Sequence, residues 1–127
     1  MKKRVLRAGT IVAALMLAGC QGSPMGNLIN GERNYTLNDA MQSWVGSSES
    51  ELVSSWGVPN GSYQNKDGTI VLTWQQYWET QLSYGYCKKI FLVDPQGVIR
   101  KWKYDSCATQ IAGKTVPAST PVPPPTL

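Results

Sequence analysis

Three cysteines, eight carboxylates and no histidine make up the reactive inventory of this chain. That inventory points away from catalysis. Without histidine there is no near-neutral imidazole base, no His-dependent triad and no His metal ligand. A cysteine nucleophile would lack the base that activates it. Asp67 and Asp94 stand in turn sequences, Asp-Gly and Asp-Pro-Gln-Gly, while Glu49 and Glu51 fall where a helix N-terminus favours negative charge. No spacing matches a metal loop or a phosphate-cradling glycine loop. The expectation is a non-enzyme with no cofactor, no metal and no small-molecule substrate. What chemistry remains belongs to the thiols of Cys20, Cys87 and Cys107.

Cys20 directly follows Leu17-Ala18-Gly19 at the end of an apolar run over residues 11–18, itself preceded by Lys2, Lys3, Arg4 and Arg7. A positive segment, an apolar segment and small residues before a cut are the three parts of a secretory signal. The apolar run is far short of the roughly 20 residues that span a bilayer. Leu-Ala-Gly-Cys resembles the lipobox of bacterial prolipoproteins, which implies removal of residues 1–19 and acylation of Cys20. An ordinary secretory signal, leaving a soluble protein, is the alternative. Two or more acyl chains anchor stably at ~0.8 kcal/mol per buried methylene. Gln21, rather than Asp, follows the cysteine, and the same resemblance then implies the periplasmic face of the outer membrane.

The leader also carries the charge imbalance. Of the twelve Lys and Arg, four lie in residues 1–19 and none of the eight acids do, so the remainder is formally neutral. The global basic footprint that would suggest a nucleic-acid partner disappears with the leader, and none is expected.

Residues 20–33 follow as a lipidated Cys and a Gly-, Asn- and Ser-rich stretch, expected to be a flexible tether. Residues 109–127 form a tail, Pro-rich from Thr115, expected either as a disordered end or as a polyproline-II spacer or ligand for a partner's aromatic groove. Residues 34–108 between them are expected to fold. Leu37, Ala40, Met41, Trp44 and Val45 make an apolar stripe at helical spacing, capped by Thr36 and stopped by Gly46, which predicts a helix over 37–45. Ser48 and Glu51 form a capping box for a second helix burying Leu52, Val53 and Trp56, ended by Gly57 and Pro59.

Beyond Pro59 the period becomes 2 and predicts three strands, near 69–78, 84–93 and 98–106. The first places Ile70, Leu72 and Trp74 on one face. Asp94-Pro95-Gln96-Gly97 suits a type I turn with a glycine bulge between the last two. That bulge pairs Val93 with Ile99, Phe91 with Lys101 and Cys87 with Asp105. It places Cys107 on the Cys87 face, within reach of a disulfide if the strand end twists. It also gathers Ile90, Leu92, Trp102 and Tyr104 toward the helices, leaving Phe91, Val93 and Ile99 on the far face. An oxidising compartment favours the bridge. The expected fold class is α+β, two short N-terminal helices packed on a three-stranded antiparallel β-meander.

The stretch Gly46-Ser47-Ser48-Glu49-Ser50-Glu51-Leu52-Val53-Ser54-Ser55-Trp56-Gly57-Val58-Pro59 resembles the helix–cap–helix signature of the SmpA/OmlA (BamE-like) family of small bacterial outer-membrane lipoproteins. Ile90-Phe91-Leu92-Val93-Asp94-Pro95-Gln96-Gly97-Val98-Ile99 resembles that family's apolar hairpin. The likeness runs over residues 37–104. It implies an ααβββ module and a part in outer-membrane protein assembly or envelope integrity, through docking to envelope proteins. Ser47, the two later cysteines and the Pro-rich tail depart from the family pattern. An accessory lipoprotein of a secretion or conjugation apparatus, with the Pro-rich tail as its contact, stands as one alternative; related modules include enzyme inhibitors, so a periplasmic inhibitor stands as another.

With chemistry set aside, surfaces carry the function. Lys89, Phe91, Lys101 and Lys103 are expected together on the outer sheet face, as a solvated surface or as a docking patch for a partner or anionic headgroups. In the aromatic run Trp74, Tyr77, Trp78, Tyr84 and Tyr86, the two nearest the connection, Trp78 and Tyr84, are the expected exposed anchors. The expected partners are the membrane, through Cys20, and envelope proteins.

Overall fold

The computed structural model describes residues 24–127. The leader and Cys20 lie outside the described residues. Element order is α1 (Pro24–Asn30), β1 (Glu32–Thr36), α2 (Leu37–Gln42), α3 (Glu49–Trp56), β2 (Gly61–Gln64), β3 (Ile70–Glu79), β4 (Tyr84–Val93), β5 (Ile99–Asp105) and β6 (Gln110–Pro117). The strands form two antiparallel sheets, one of order β2-β3-β4-β5 and one pairing β1 with β6. This corrects the expected ααβββ fold: the described chain is mostly β, with six strands and three short helices. Part of the stretch read as a tether supplies α1 and the start of β1. Part of the stretch read as a tail supplies β6.

Both expected helices exist and are capped as their sequences demand. Ser48 Oγ accepts from the Glu51 N–H while the Glu51 carboxylate accepts from the Ser48 N–H, and Thr36 and Asp39 repeat the arrangement at α2. The first helix is shorter than its apolar stripe. After Gln42 the bonds tighten to i→i−3, from Trp44 N–H to Met41 O and from Val45 N–H to Gln42 O. The inter-helix turn is then sewn to the β4–β5 hairpin: Gly46 N–H donates to Ile99 O, Ile99 N–H to Ser47 O and Glu49 N–H to Gly97 O.

The core lies between α2–α3 and one face of the larger sheet. It holds Leu37 and Met41 from α2, Leu52 from α3, Leu72 and Trp74 from β3, Phe91 and Val93 from β4, and Ile99 and Trp102 from β5. Trp56 meets Trp44, Trp74 and Phe91 edge to face at centroid distances of 6.1, 5.8 and 5.5 Å. Such pairs add about 0.5–1.5 kcal/mol each beyond burial. Buried ring N–H groups are satisfied, Trp74 Nε1 by Gly57 O and Trp102 Nε1 by Gln42 Oε1.

The Asp94–Gly97 turn forms, with Gly97 N–H donating to Asp94 O, and Val93 pairs with Ile99 as expected. A further register shift then intervenes. Leu92 pairs with Lys101 and Phe91 with Trp102, so Arg100 is the extra residue, and its Nε donates to Asp94 Oδ2 at 2.6 Å. One extra residue reverses the faces. Phe91, Val93 and Ile99, expected outward, are fully buried. Ile90 and Leu92, expected inward, are half-buried on the outer face opposite Lys103 and Lys101.

Arg33 of β1 grips Asp39 of α2 with two nitrogens, Nη1 to Oδ2 at 2.8 Å and Nη2 to Oδ1 at 2.7 Å. Those bonds, aided by the Thr36 N–H and hydroxyl, hold the Asp39 carboxyl well below the usual carboxylate range. A carboxylate whose pKa is depressed by folding stabilises the fold above its unfolded value, about 3.9, and loses that contribution as pH falls below it. Thermal melts across pH 6 to 2 should therefore show the Asp39→Asn variant less stable at pH 6, with the gap to the wild type narrowing toward pH 2. A gap that stays constant would remove the ion pair from the account.

Candidate docking surface

Past the last β2–β3 pair, Gly61 with Thr73, and the last β4–β5 pair, Lys88 with Asp105, the β3–β4 hairpin continues alone. It is a two-stranded arm closed by a tight turn in which Thr80 N–H donates to Ser83 O at 2.7 Å. Its root is braced covalently. Ser106 adopts a left-handed backbone, φ 56°, and turns the chain so that Cys107 meets Cys87 with Cα atoms 4.5 Å apart; the two form a disulfide. Tyr86 Oη donates to Asp105 Oδ2 at 2.7 Å beside it. That bond, then one from the Ser106 hydroxyl, lowers the Asp105 carboxyl below its ordinary range.

The arm is apolar where it is most exposed. Leu82 at the turn is 97% exposed, Tyr84 66%, Tyr77 63% and Trp78 46%. Period 2 sorts them. Tyr77 stacks on Tyr84 at 6.2 Å and neighbours Tyr86 on the outer face, while Trp78 lies on the helix-side face. The Trp78 ring covers Gly85 so closely that a Cβ there would come within 2.5 Å of it. A side chain at position 85 would force the indole to shift, so Gly85 lets Trp78 lie flat on the arm.

At the arm's root, a cleft of about 390 Å³ opens between the end of α3 and β3–β4, lined by Trp56, Val58, Asn60, Trp74 and Lys89 among others. Lys89 Nζ stands 4.9 Å from the Trp56 ring centroid, a cation–π contact. Asn60 stands where β2 would continue: its N–H donates to Thr73 O and its Oδ1 accepts from Gln75 N–H at 2.6 Å. By the alternation of an antiparallel ladder, the peptide groups of Tyr77 and Glu79 face the open edge beyond it.

The expected basic patch does not assemble. Phe91 is core. Lys89 pairs with Tyr104 and faces the helices, whereas Lys101 and Lys103 are exposed on the opposite face, so the expected Lys89–Lys103 pair is absent. Trp78 and Tyr84 do share one exposed element. Leu82 and the cleft were missed; an aliphatic residue inside the polar turn Thr80-Gln81-Leu82-Ser83 was the available signal for the first. Among the described residues no group of three His, Cys, Asp or Glu could hold a metal ion.

Fold and surface together define a small, disulfide-braced, mostly antiparallel β domain with a projecting aromatic arm. The chain matches no family model, no curated protein and no solved structure.

Proposed function

We propose that this protein is an outer-membrane lipoprotein, anchored through Cys20 on the periplasmic face, that acts as a non-catalytic docking module for another envelope protein. Its role is in outer-membrane protein assembly or envelope integrity. The observation that carries the docking reading is the β3–β4 arm, with Tyr77, Trp78, Leu82 and Tyr84 exposed on an element braced by Cys87–Cys107. Rigid aromatic side chains on a fixed support give large contact area at small entropic cost, which is the composition of interface hot spots. The lipobox and the sequence resemblance support the compartment. The helix α1, next along the chain from Cys20, exposes Met25, Leu28 and Ile29. Among the described residues no helix is long and apolar enough to cross a membrane. A second reading, an enzyme-inhibitor module, is favoured by the same arm, because a narrow hairpin tipped by Leu82 suits a concave site.

Photo-crosslinkers at Leu82 and Tyr77, compared with one at Lys66 on the β2–β3 turn, test this in intact cells. A discrete protein adduct from the arm alone is expected, weakened roughly tenfold or more by Trp78→Ala or Tyr84→Ala with the thermal midpoint unchanged. Equal adducts from all three positions, or none, would sink the arm as a docking element. If the adduct is a hydrolase whose activity falls on binding, the inhibitor reading takes its place.

A further inference from the structure

Residues 118–127 do not hang free from β6. Arg33 Nε donates to Thr120 O at 2.7 Å and Nη2 to Pro121 O at 3.2 Å; Asn38 Nδ2 donates to Pro123 O at 2.7 Å. Thr126 N–H and Leu127 N–H both donate to Trp102 O, and Trp102 N–H donates to Thr126 Oγ1 at 3.0 Å. The segment thus crosses from β1 past α2 and ends on the edge of β5.

The recognition is of a particular kind. Up to Pro123 the receiving surface supplies donors and the tail supplies carbonyls. A proline-rich strand has few N–H groups and leaves its carbonyls unpaired, because proline lacks the donor and fixes φ near −65°. Arg33 is held for this task, its guanidinium locked by Asp39 and by a bond from Nη1 to Asn34 O. The last contact is an edge-strand bond pattern at Trp102. We propose that Arg33, Asn38 and the β5 edge at Trp102 form a binding site for uncharged, proline-rich extended segments, and that residues 120–127 are its exchangeable internal ligand. A partner protein carrying such a segment displaces the tail and is held in its place. Exchange is feasible because the tail is attached by hydrogen bonds that are exposed or only part-buried, and it leaves its own apolar side chains, such as Val122, exposed.

An attached tail competes at high effective concentration, so the test uses the full chain with residues 120–127 replaced by a Gly-Ser sequence of equal length. The probe is the synthetic peptide of residues 118–127. Saturable binding is expected, with the Trp102 backbone amide resonance returning toward its position in the unmodified chain. Asn38→Ala in that background should weaken binding about fivefold, and a peptide with Pro123, Pro124 and Pro125 changed to Gly should bind about tenfold more weakly. No saturable binding, or equal binding of the glycine peptide, overturns the site. Hydrogen exchange on the unmodified chain is independent of how the replacement folds. The Trp102 amide should exchange at least about a hundredfold faster than the β3–β4 ladder amides, and exchange only at the ladder rate would overturn displacement. A concentration-dependent dimer of the unmodified chain, lost when the tail is replaced, would put a second copy's tail in the site and support exchange.

Discussion

Phe91→Ala is expected to lower the unfolding free energy by about 3–5 kcal/mol, and Leu92→Ala one residue away by about 1 kcal/mol. Phe91 is fully buried, meeting Trp56 and Trp74 edge to face at 5.5 and 6.1 Å. Removing it opens a cavity among large rings that cannot collapse onto it, which places the cost toward the upper end. Leu92 is half-buried on the sheet's outer face, opposite Lys101. Urea unfolding of the two variants reads the register directly, because the unshifted pairing would reverse the order. If Leu92→Ala proved the more damaging, the extra residue at Arg100 would be misplaced, and with it the whole division of faces.

The same position shows why the Asp94–Gly97 turn was legible in the sequence and the faces of the strands it joins were not. Capping boxes, the Asp94–Gly97 turn and the strand-to-strand spacing are local devices, and each formed where its residues stand. Face assignment in β4 had no local device. Ile90, Phe91, Leu92 and Val93 are all apolar, so alternation carries no sign. The difference is one extra residue, Arg100, whose exposed side chain reaches back to Asp94, and it is the burial of Phe91, Val93, Ile99 and Trp102 together that selects this register. β2, with sequence Gly-Ser-Tyr-Gln, is exposed throughout and has no apolar period to read. β1 and β6 each lack a periodic apolar face and exist by pairing with one another across more than 70 residues. Glu-Arg-Asn-Tyr-Thr reads as polar linker because its partner is remote, and Arg33 shows its role only once Asp39 and the tail carbonyls are beside it. The exposure of Trp78 and Tyr84 was legible because they stand nearest the connection between two strands that period 2 located. The lysine patch was not, since it inherited the unshifted register.

Replacing both Cys87 and Cys107 with Ser is expected to cost about 3 kcal/mol, from the chain entropy that a bridge across 20 residues removes from the unfolded state. Against a total of about 5–15 kcal/mol for a small domain, this is a large share. The urea midpoint should fall and the slope should rise, since the open chain exposes more surface on unfolding. A second consequence is local. The bridge and the Tyr86–Asp105 bond tie the root of the aromatic arm to the end of β5, beyond the last pair that the ladder supplies. Without the bridge, the amides of Tyr84, Gly85 and Tyr86 should exchange markedly faster, while those of Leu72 and Phe91 should track only the global loss. Crosslinking from Leu82 should then weaken even at temperatures where the double variant remains folded. Unchanged arm exchange in the folded variant would separate the disulfide from the arm's rigidity and leave it a purely global brace. The combined result would tie the oxidation state of Cys87 and Cys107 to the rigidity of the arm proposed as the docking surface.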